Sequence, residues 1–200
     1  MIISFEGGEG VGKTTQIRLL SSYLEKEHIP WVSIREPGGS PISERIRSLF
    51  LENNLDPWAE LLLVLASRRV NIKKVIEPAL SEGNIVIIDR FLDSTLVYQG
   101  ILGDIDTSAI MDVMKLTHTL LEPDVTILLD APVEVSLSRI RAKDRFENLP
   151  LKYHEKIRNA FLDICSQERH YVVDASRPIE DVWEDVISIL EPFLARTTNS

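Results

Sequence analysis

Cysteine is almost absent from this chain: Cys165 is the only one, so no internal disulfide can staple the fold. Ile157, Phe161, Ile164 and Cys165 fall on one helical face, which predicts plain packing for the thiol rather than reactivity. Long apolar runs are missing as well. The longest, such as Leu61 to Ala66, are far too short to cross a bilayer, so a soluble protein without a membrane partner is expected. Met1 runs straight into Ile2-Ile3-Ser4-Phe5 without the basic segment and apolar core of an export signal, and the expected location is cytoplasmic. Basic charge is scarce: 22 Lys and Arg stand against 31 Asp and Glu, for a net charge of −9. A nucleic-acid partner is therefore not expected, although an acidic chain can still hold small anions in a locally basic cleft. Repeats and low-complexity stretches are lacking, and only Thr197 to Ser200 reads as a frayed polar tail.

The chain's 200 residues, 44% of them apolar, suffice for a single domain, 1–200, that buries a sheet between helical layers. Strand-like runs occupy Ile2 to Phe5, Trp31 to Ile34, Ile85 to Ile88, Val125 to Leu129 and Tyr171 to Val173. Segments of helical period separate them, an alternation that predicts a parallel sheet. Ile85 to Ile88 and Val125 to Leu129 are nearly continuous in apolar residues, as central strands covered on both faces should be. Among the helices, Ile110, Val113, Met114, Thr117 and Leu121 share one face, and Val182, Val186, Ile189, Leu190 and Phe193 another. Ligands of open parallel sheets gather beyond the carboxyl ends of the strands. Glu6 to Thr15, Arg35 to Gly39, Asp89 to Phe91 and Asp130 to Pro132 should then converge on one rim.

Directly after the first strand, Gly7-Gly8-Glu9-Gly10-Val11-Gly12-Lys13-Thr14 has the spacing of a phosphate-binding loop that opens a helix. Glycines permit backbone torsions that turn successive amides toward phosphate oxygens, and the following helix adds its positive end. Lys13 would reach the outer phosphates as a mobile charge, and the Thr14 hydroxyl would ligate a Mg²⁺ that keeps much of its water. The loop fixes the ligand class and leaves the reaction undecided. No Asn-Lys-x-Asp segment follows a late strand, which disfavours a guanine-reading switch, and Gly8 stands where partitioning ATPases carry a second lysine.

Further motifs narrow the choice. Phe5-Glu6-Gly7-Gly8-Glu9-Gly10 through Thr15-Gln16, Arg35-Glu36-Pro37-Gly38-Gly39, and Asp89-Arg90-Phe91-Leu92-Asp93-Ser94 through Gly100 together resemble the bacterial thymidylate kinases. The similarity runs on through Leu129 to Glu134, Asp144 to Glu147 and Asp174 to Pro178, nearly the whole chain. It implies the α/β P-loop nucleoside monophosphate kinase fold: a five-stranded parallel sheet with helices on both faces and a short lid, here about 139–150. It also implies transfer of a phosphoryl group from ATP to dTMP with Mg²⁺, and a homodimer. The remaining rivals are a small kinase with another acceptor, and a nucleotide-switched regulatory protein that hydrolyses ATP slowly.

The resemblance assigns Gly7 to Thr15 and Arg139 to ATP, with Thr14 and Asp89 toward the metal. Asp89 could instead, or also, hold Arg90, and Arg90 either binds the acceptor phosphate or merely pairs with Asp89. Arg35, Glu36 and Pro37 belong to a turn that lies beside the acceptor in similar kinases. Arg47, Val64 and Arg68 match acceptor-contacting positions, although helix position alone would leave both arginines solvated. Glu9 is assigned to the deoxyribose 3′-hydroxyl, and Ser94, Tyr98 and Gln99 to the sugar and base, with core packing as the alternative for Tyr98.

Three departures stand out. Val11 replaces the loop arginine of eukaryotic-type enzymes, so transition-state charge should be met from the lid, first by Arg145, then by Arg141, with Lys13 and Arg90 completing the catalytic set. Such an arginine can be worth roughly 10³ to 10⁵ in rate. The lid is shorter than in related enzymes, and Arg139, Arg141, Lys143 and Arg145 could also form a plain solvated basic run. Val64 stands where the family stacks a phenylalanine on thymine; either acceptor affinity is weaker or Phe91 compensates, and Val64→Phe is expected to lower the KM for dTMP.

Overall fold

The computed structural model describes residues 1–140, 149–166 and 168–197. Five parallel strands form one sheet: β1 (Ile2–Glu6), β2 (Trp31–Arg35), β3 (Ile85–Asp89), β4 (Val125–Asp130) and β5 (His170–Asp174), in the order β2-β3-β1-β4-β5. Every residue of β1 is buried, as its central place demands. Side chains alternate across the sheet, and the two faces carry separate cores. Ile3, Phe5, Ile87 and Ile127 pack with Leu20 and Leu24 of α1 (Lys13–Lys26) and with Val186 and Leu190 of the C-terminal helix. Ile2, Val86 and Ile88 face the other way, onto Leu61, Leu65, Ile110 and Met114.

Helix entry follows local chemistry. Ser40 caps α2 (Pro41–Glu52) by accepting from the Ser43 amide at 3.2 Å, and Asp56 caps α3 (Pro57–Asn71) through the amides of Trp58 and Ala59 at 3.0 and 3.2 Å. Both helices begin with proline, whose fixed φ suits a first turn. A π-helical turn, Ile72–Ile76, carries α3 directly into α4 (Glu77–Ser81). A second, Leu96–Ile101, extends the short α5 (Leu92–Thr95) and brings Tyr98 and Gln99 toward the sheet rim. The remaining helices are α6 (Thr107–Leu116), α7 (Val133–Ser138), α8 (Leu151–Asp163) and α9 (Ile179–Thr197). Among the described residues no helix is long and apolar enough to cross a membrane.

Two expectations need adjustment. Thr117 and Leu121 lie beyond α6, because His118 takes a left-handed φ of 52° and the amides of His118 and Thr119 close on the carbonyls of Lys115 and Met114. Leu121 still packs on the same core as Ile110 and Met114, which is why helical spacing extended to it. Cys165 likewise follows the end of α8, yet it packs beside Ile157 and Phe161, and burial pushes its thiol up to about 11. Most of the expected lid, 139–150, with Arg141, Lys143 and Arg145, lies outside the described residues.

The start of α5 is anchored across the sheet by Asp93, whose carboxylate takes Arg169 at 2.7 and 2.9 Å and His170 Nε2 at 3.2 Å. Its side chain is only 3% exposed, so losing it strands a guanidinium in a poorly solvated place. Asp93→Ala is expected to destabilise by about 3 kcal/mol, against about 1 kcal/mol for removal of the exposed cap in Asp56→Ala. Urea unfolding of both variants checks this. Equal losses would put Asp93 among ordinary surface contacts.

Candidate active site

Registry brings the rim together. Phe5 pairs with Asp89 of β3, and Glu6 pairs with Leu128 of β4, so the segments leaving β1 and β3 emerge side by side. The loop after β1 then wraps the head of α1. A Cβ on Gly10, whose φ is 70°, would lie 2.1 Å from the backbone oxygen of Ser136, so only glycine fits the loop against α7. Gly12 (φ 100°) serves as N-cap without a side chain, leaving the amides of Lys13 and Thr14 to a ligand while that of Thr15 closes on the Gly12 carbonyl at 3.0 Å. Lys13 folds back over the loop, its Nζ donating to the carbonyls of Gly7 at 3.0 Å and Gly8 at 2.7 Å. Burial, and after it the charge of Arg90, pulls its ammonium down to about 8, a shift that an adjacent phosphate would reverse.

A cleft of about 2040 Å³, counting its open mouth, runs along this loop. Gly10 to Gln16 form its floor, with Asp89, Arg90, Arg139 and residues 175 and 177–180 around it. Gly7 and Gly8 do not reach this cleft and instead back onto a small cavity beside Asp130, which Arg158 grips at 2.7 and 2.8 Å. Arg139 bonds the carbonyls of Ala175 at 2.8 Å and Ser176 at 3.3 Å, tying the end of α7 to the loop after β5. Thr14 Oγ1 donates to Asp89 Oδ2 at 3.4 Å. Asp89 Oδ1 is buried with no hydrogen-bond partner among the described residues. A hydroxyl beside a carboxylate with one unused oxygen suits a Mg²⁺ ion that takes most of its ligands from phosphates and water.

A smaller cavity, about 580 Å³ with its mouth, opens beside the first. Glu9, Glu36, Arg47 and Arg90 line both, which makes them the junction. Arg90 does not pair with its neighbour Asp89; its guanidinium meets Glu9 at 2.8 Å, the Gly7 carbonyl at 3.0 Å and Ser94 Oγ at 3.4 Å, and stands over the Tyr98 ring at 5.3 Å. Burial works against its charge, but Glu9 and its neighbours more than compensate and raise its pKa further. Burial likewise acts to raise Glu9, yet Arg90 and Lys13 hold that carboxyl down to about 2. The Tyr98 phenol donates to Glu9 at 2.9 Å, and burial pushes its pKa well up.

Arg68, the other helix-borne arginine in the cavity, is 1% exposed rather than solvated. It reaches Glu36 at 2.7 Å, the Phe91 carbonyl at 3.0 Å and Thr95 at 2.9 Å, and lies over the Phe91 ring at 4.6 Å. Its Nη1 is buried with no partner among the described residues. Helical spacing from Leu61, Val64 and Leu65 marks this buried face, while Arg69 turns to the carbonyl of His118. Arg47 steadies the Glu36-Pro37 turn by donating to the Pro37 carbonyl at 2.9 Å. Ser94 and Gln99 also line the cavity, the latter bonded to Glu60 at 3.4 Å. Arg35 does not: it pairs with Glu44 at 2.9 Å, more than half exposed, on the rim of the larger cleft. Val64 shares the smaller cavity with Phe50 and Phe91. Phe50 and Leu51 escaped the sequence reading, because nothing local distinguishes a core phenylalanine from a pocket wall.

A family model described as thymidylate kinase matches residues 5–186. The chain belongs to the thymidylate kinase family. A thymidylate kinase of Symbiobacterium thermophilum is 42% identical, with 98% of this chain and 95% of that protein covered. One from Fervidobacterium nodosum is 36% identical, with 97% and 100% covered. The crystal structure of thymidylate kinase from Ehrlichia chaffeensis superposes with a TM-score of 0.78 at 36% identity, covering 96% of this chain and 98% of that one. The sheet and its flanking helices are therefore those of the P-loop nucleoside monophosphate kinases, and the protein is a kinase.

The lowered pKa of Glu9 makes a stability prediction. A carboxyl held at about 2 in the fold and near 4.5 when unfolded stabilises above pH 4.5, and that contribution is lost as pH falls toward 2. The gap in unfolding free energy between the native protein and Glu9→Gln should be constant above about pH 5 and narrow below it. Urea titrations across that range measure it, and a gap that widens in acid would contradict the Arg90–Glu9 assignment.

Proposed function

We propose that this enzyme transfers the γ-phosphoryl group of ATP to the 5′-phosphate of dTMP, giving dTDP and ADP. The observation that carries this reading is the meeting of two cavities at Arg90, Arg47 and Glu9. Two phosphorylated substrates repel, and a transferase needs cations where they meet in line. The loop amides and Lys13 hold the β- and γ-phosphates in the larger cleft. Arg139 and the loop after β5 border the nucleoside end. Thr14 and Asp89 would hold Mg²⁺, which when bound withdraws charge from the transferring group. Arg90 takes the acceptor phosphate, with Arg47 and Arg35 beside the path. Because that phosphate is already ionised, positioning and electrostatics suffice and no general base is required. Arg145 or Arg141, which lie outside the described residues, would complete charge neutralisation as the family resemblance implies.

In the smaller cavity Glu9, kept ionised, accepts from the sugar 3′-hydroxyl, while Tyr98 packs against C2′ and disfavours a ribose hydroxyl. Ser94 and Gln99 border the nucleoside, the Glu36-Pro37 turn forms the wall beneath, and the uncommitted Nη1 of Arg68 is available to a base carbonyl. Phe50 and Phe91 supply the aromatic surface that Val64 lacks. A third phenylalanine would compete with the base for room, so Val64→Phe should raise the KM for dTMP, reversing the expectation from sequence alone. The reading carries with it a cytoplasmic location, where ATP is abundant, and the homodimer that the family resemblance implies.

Coupled detection of ADP tests the assignment: with ATP and Mg²⁺, release should be fast only when dTMP is added. Equal release without an acceptor would favour a slow ATPase switch, and faster turnover with another monophosphate a different kinase. Lys13→Ala should lower kcat by roughly 10² to 10³ while leaving the fold intact by circular dichroism. Arg90→Ala should raise the KM for dTMP by roughly tenfold or more, with the KM for ATP little changed; equal effects on both substrates would contradict its role.

A further inference from the structure

Glu6 ends β1 fully buried, where a carboxylate is costly unless its oxygens are satisfied. Oε1 accepts from the Phe91 amide at 2.7 Å and the Ser94 amide at 3.4 Å, and Oε2 accepts from Ser94 Oγ at 2.5 Å. Those groups follow Arg90, whose left-handed φ of 65° turns the chain from β3 into α5. The carboxylate thus fastens the turn that presents the guanidinium. Ser94 Oγ receives Arg90 Nη1 at 3.4 Å and has one proton of its own, so donors run from Arg90 to Ser94 to Glu6 only when Glu6 is ionised. A proton on Oε2 would force the hydroxyl to accept from both sides.

We propose that Glu6 is a positioning residue for the acceptor phosphate, holding the Arg90 guanidinium at the junction of the cavities through Ser94 and the Phe91 amide. The inference rests on the assignment of the acceptor monophosphate to Arg90. The charged groups that bear on Glu6 are Arg90 from the β3–α5 turn, Asp93 in the first turn of α5, Lys13 at the head of α1, and Arg169 beside β5, with His170 bonded to Asp93. Burial first and Asp93 second lift its carboxyl to about 7, against the pull of Ser94, the Phe91 amide and Arg90. The supporting ion therefore gains population as pH rises through neutrality.

Glu6→Gln keeps the shape and removes the charge. KM values for dTMP and ATP are measured from about pH 6 to about pH 8.5, spanning the Glu6 titration. The acceptor's own phosphate titration cancels in the ratio of variant to native KM for dTMP. That ratio should rise with pH to roughly tenfold, with the KM for ATP nearly unchanged. A ratio flat with pH, or an equal rise for ATP, would reduce Glu6 to a structural cap and overturn the proposal. Should Glu6→Gln fail to fold, Ser94→Ala decides, since it keeps the carboxylate and both amide bonds. Because Ser94 also borders the nucleoside, the relay requires that its variant-to-native KM ratio for dTMP climb with pH while that for ATP stays flat, and a native KM or a raised ratio flat with pH overturns it. Native protein that uses no nucleoside monophosphate would overturn the acceptor assignment beneath it; an active native enzyme with a flat ratio sinks only the role of Glu6.

Discussion

The structure depends on one partly buried cation. Arg90 sits between two cavities with its guanidinium held by Glu9 at 2.8 Å and by the Gly7 carbonyl at 3.0 Å. A guanidinium largely withdrawn from water needs compensation, and Glu9, the Gly7 carbonyl and Ser94 supply it. In the proposed function, a phosphate arriving at the junction would meet a cation already in place, with its desolvation already met by the fold. Pre-organisation of this kind is what lowers the cost of bringing two like-charged substrates together.

The sheet makes that placement reproducible. β1 and β3 are neighbours in parallel register, so the glycine-rich loop proposed to cradle phosphate and the turn that presents Arg90 leave adjacent strand ends. Both depend on unusual backbone. Gly10 fits against Ser136 only because it has no side chain, and Arg90 adopts a positive φ that Glu6 secures through the following amide. Lys13 bridges the two sides by bonding the same loop whose Gly7 carbonyl also receives Arg90. Arg68, Glu36 and Asn71 build a second buried polar layer under the smaller cavity, with Glu36 accepting from Arg68 at 2.7 Å and from Asn71 at 3.2 Å.

The sequence spoke most clearly where chemistry is local. The phosphate loop is a backbone requirement written in glycines, and the central strands are apolar on both faces because helices cover both, so spacing revealed each. Arg68 was half legible: its turn-by-turn distance from Leu61 and Val64 marks a buried face, but its partners Glu36 and Thr95 come from distant segments. The network around Glu6 was not legible, since Ser94 lies far along the chain and nothing near Glu6 signals it. The end of α6 was misplaced because Leu121 continues the apolar spacing after His118 has already turned the chain. Phe50 drew no notice because a pocket wall and a core face share the same periodicity.

The central claim is that the two cavities form one site for two phosphorylated ligands. Calorimetric titration with a single molecule that joins adenosine to thymidine through a chain of phosphates tests it most directly. Occupying both cavities at once should bind about 10² to 10⁴ times more tightly than either nucleotide alone, with one molecule per chain, and the advantage should vanish in Arg90→Ala. Affinity no better than that of ATP would contradict the account.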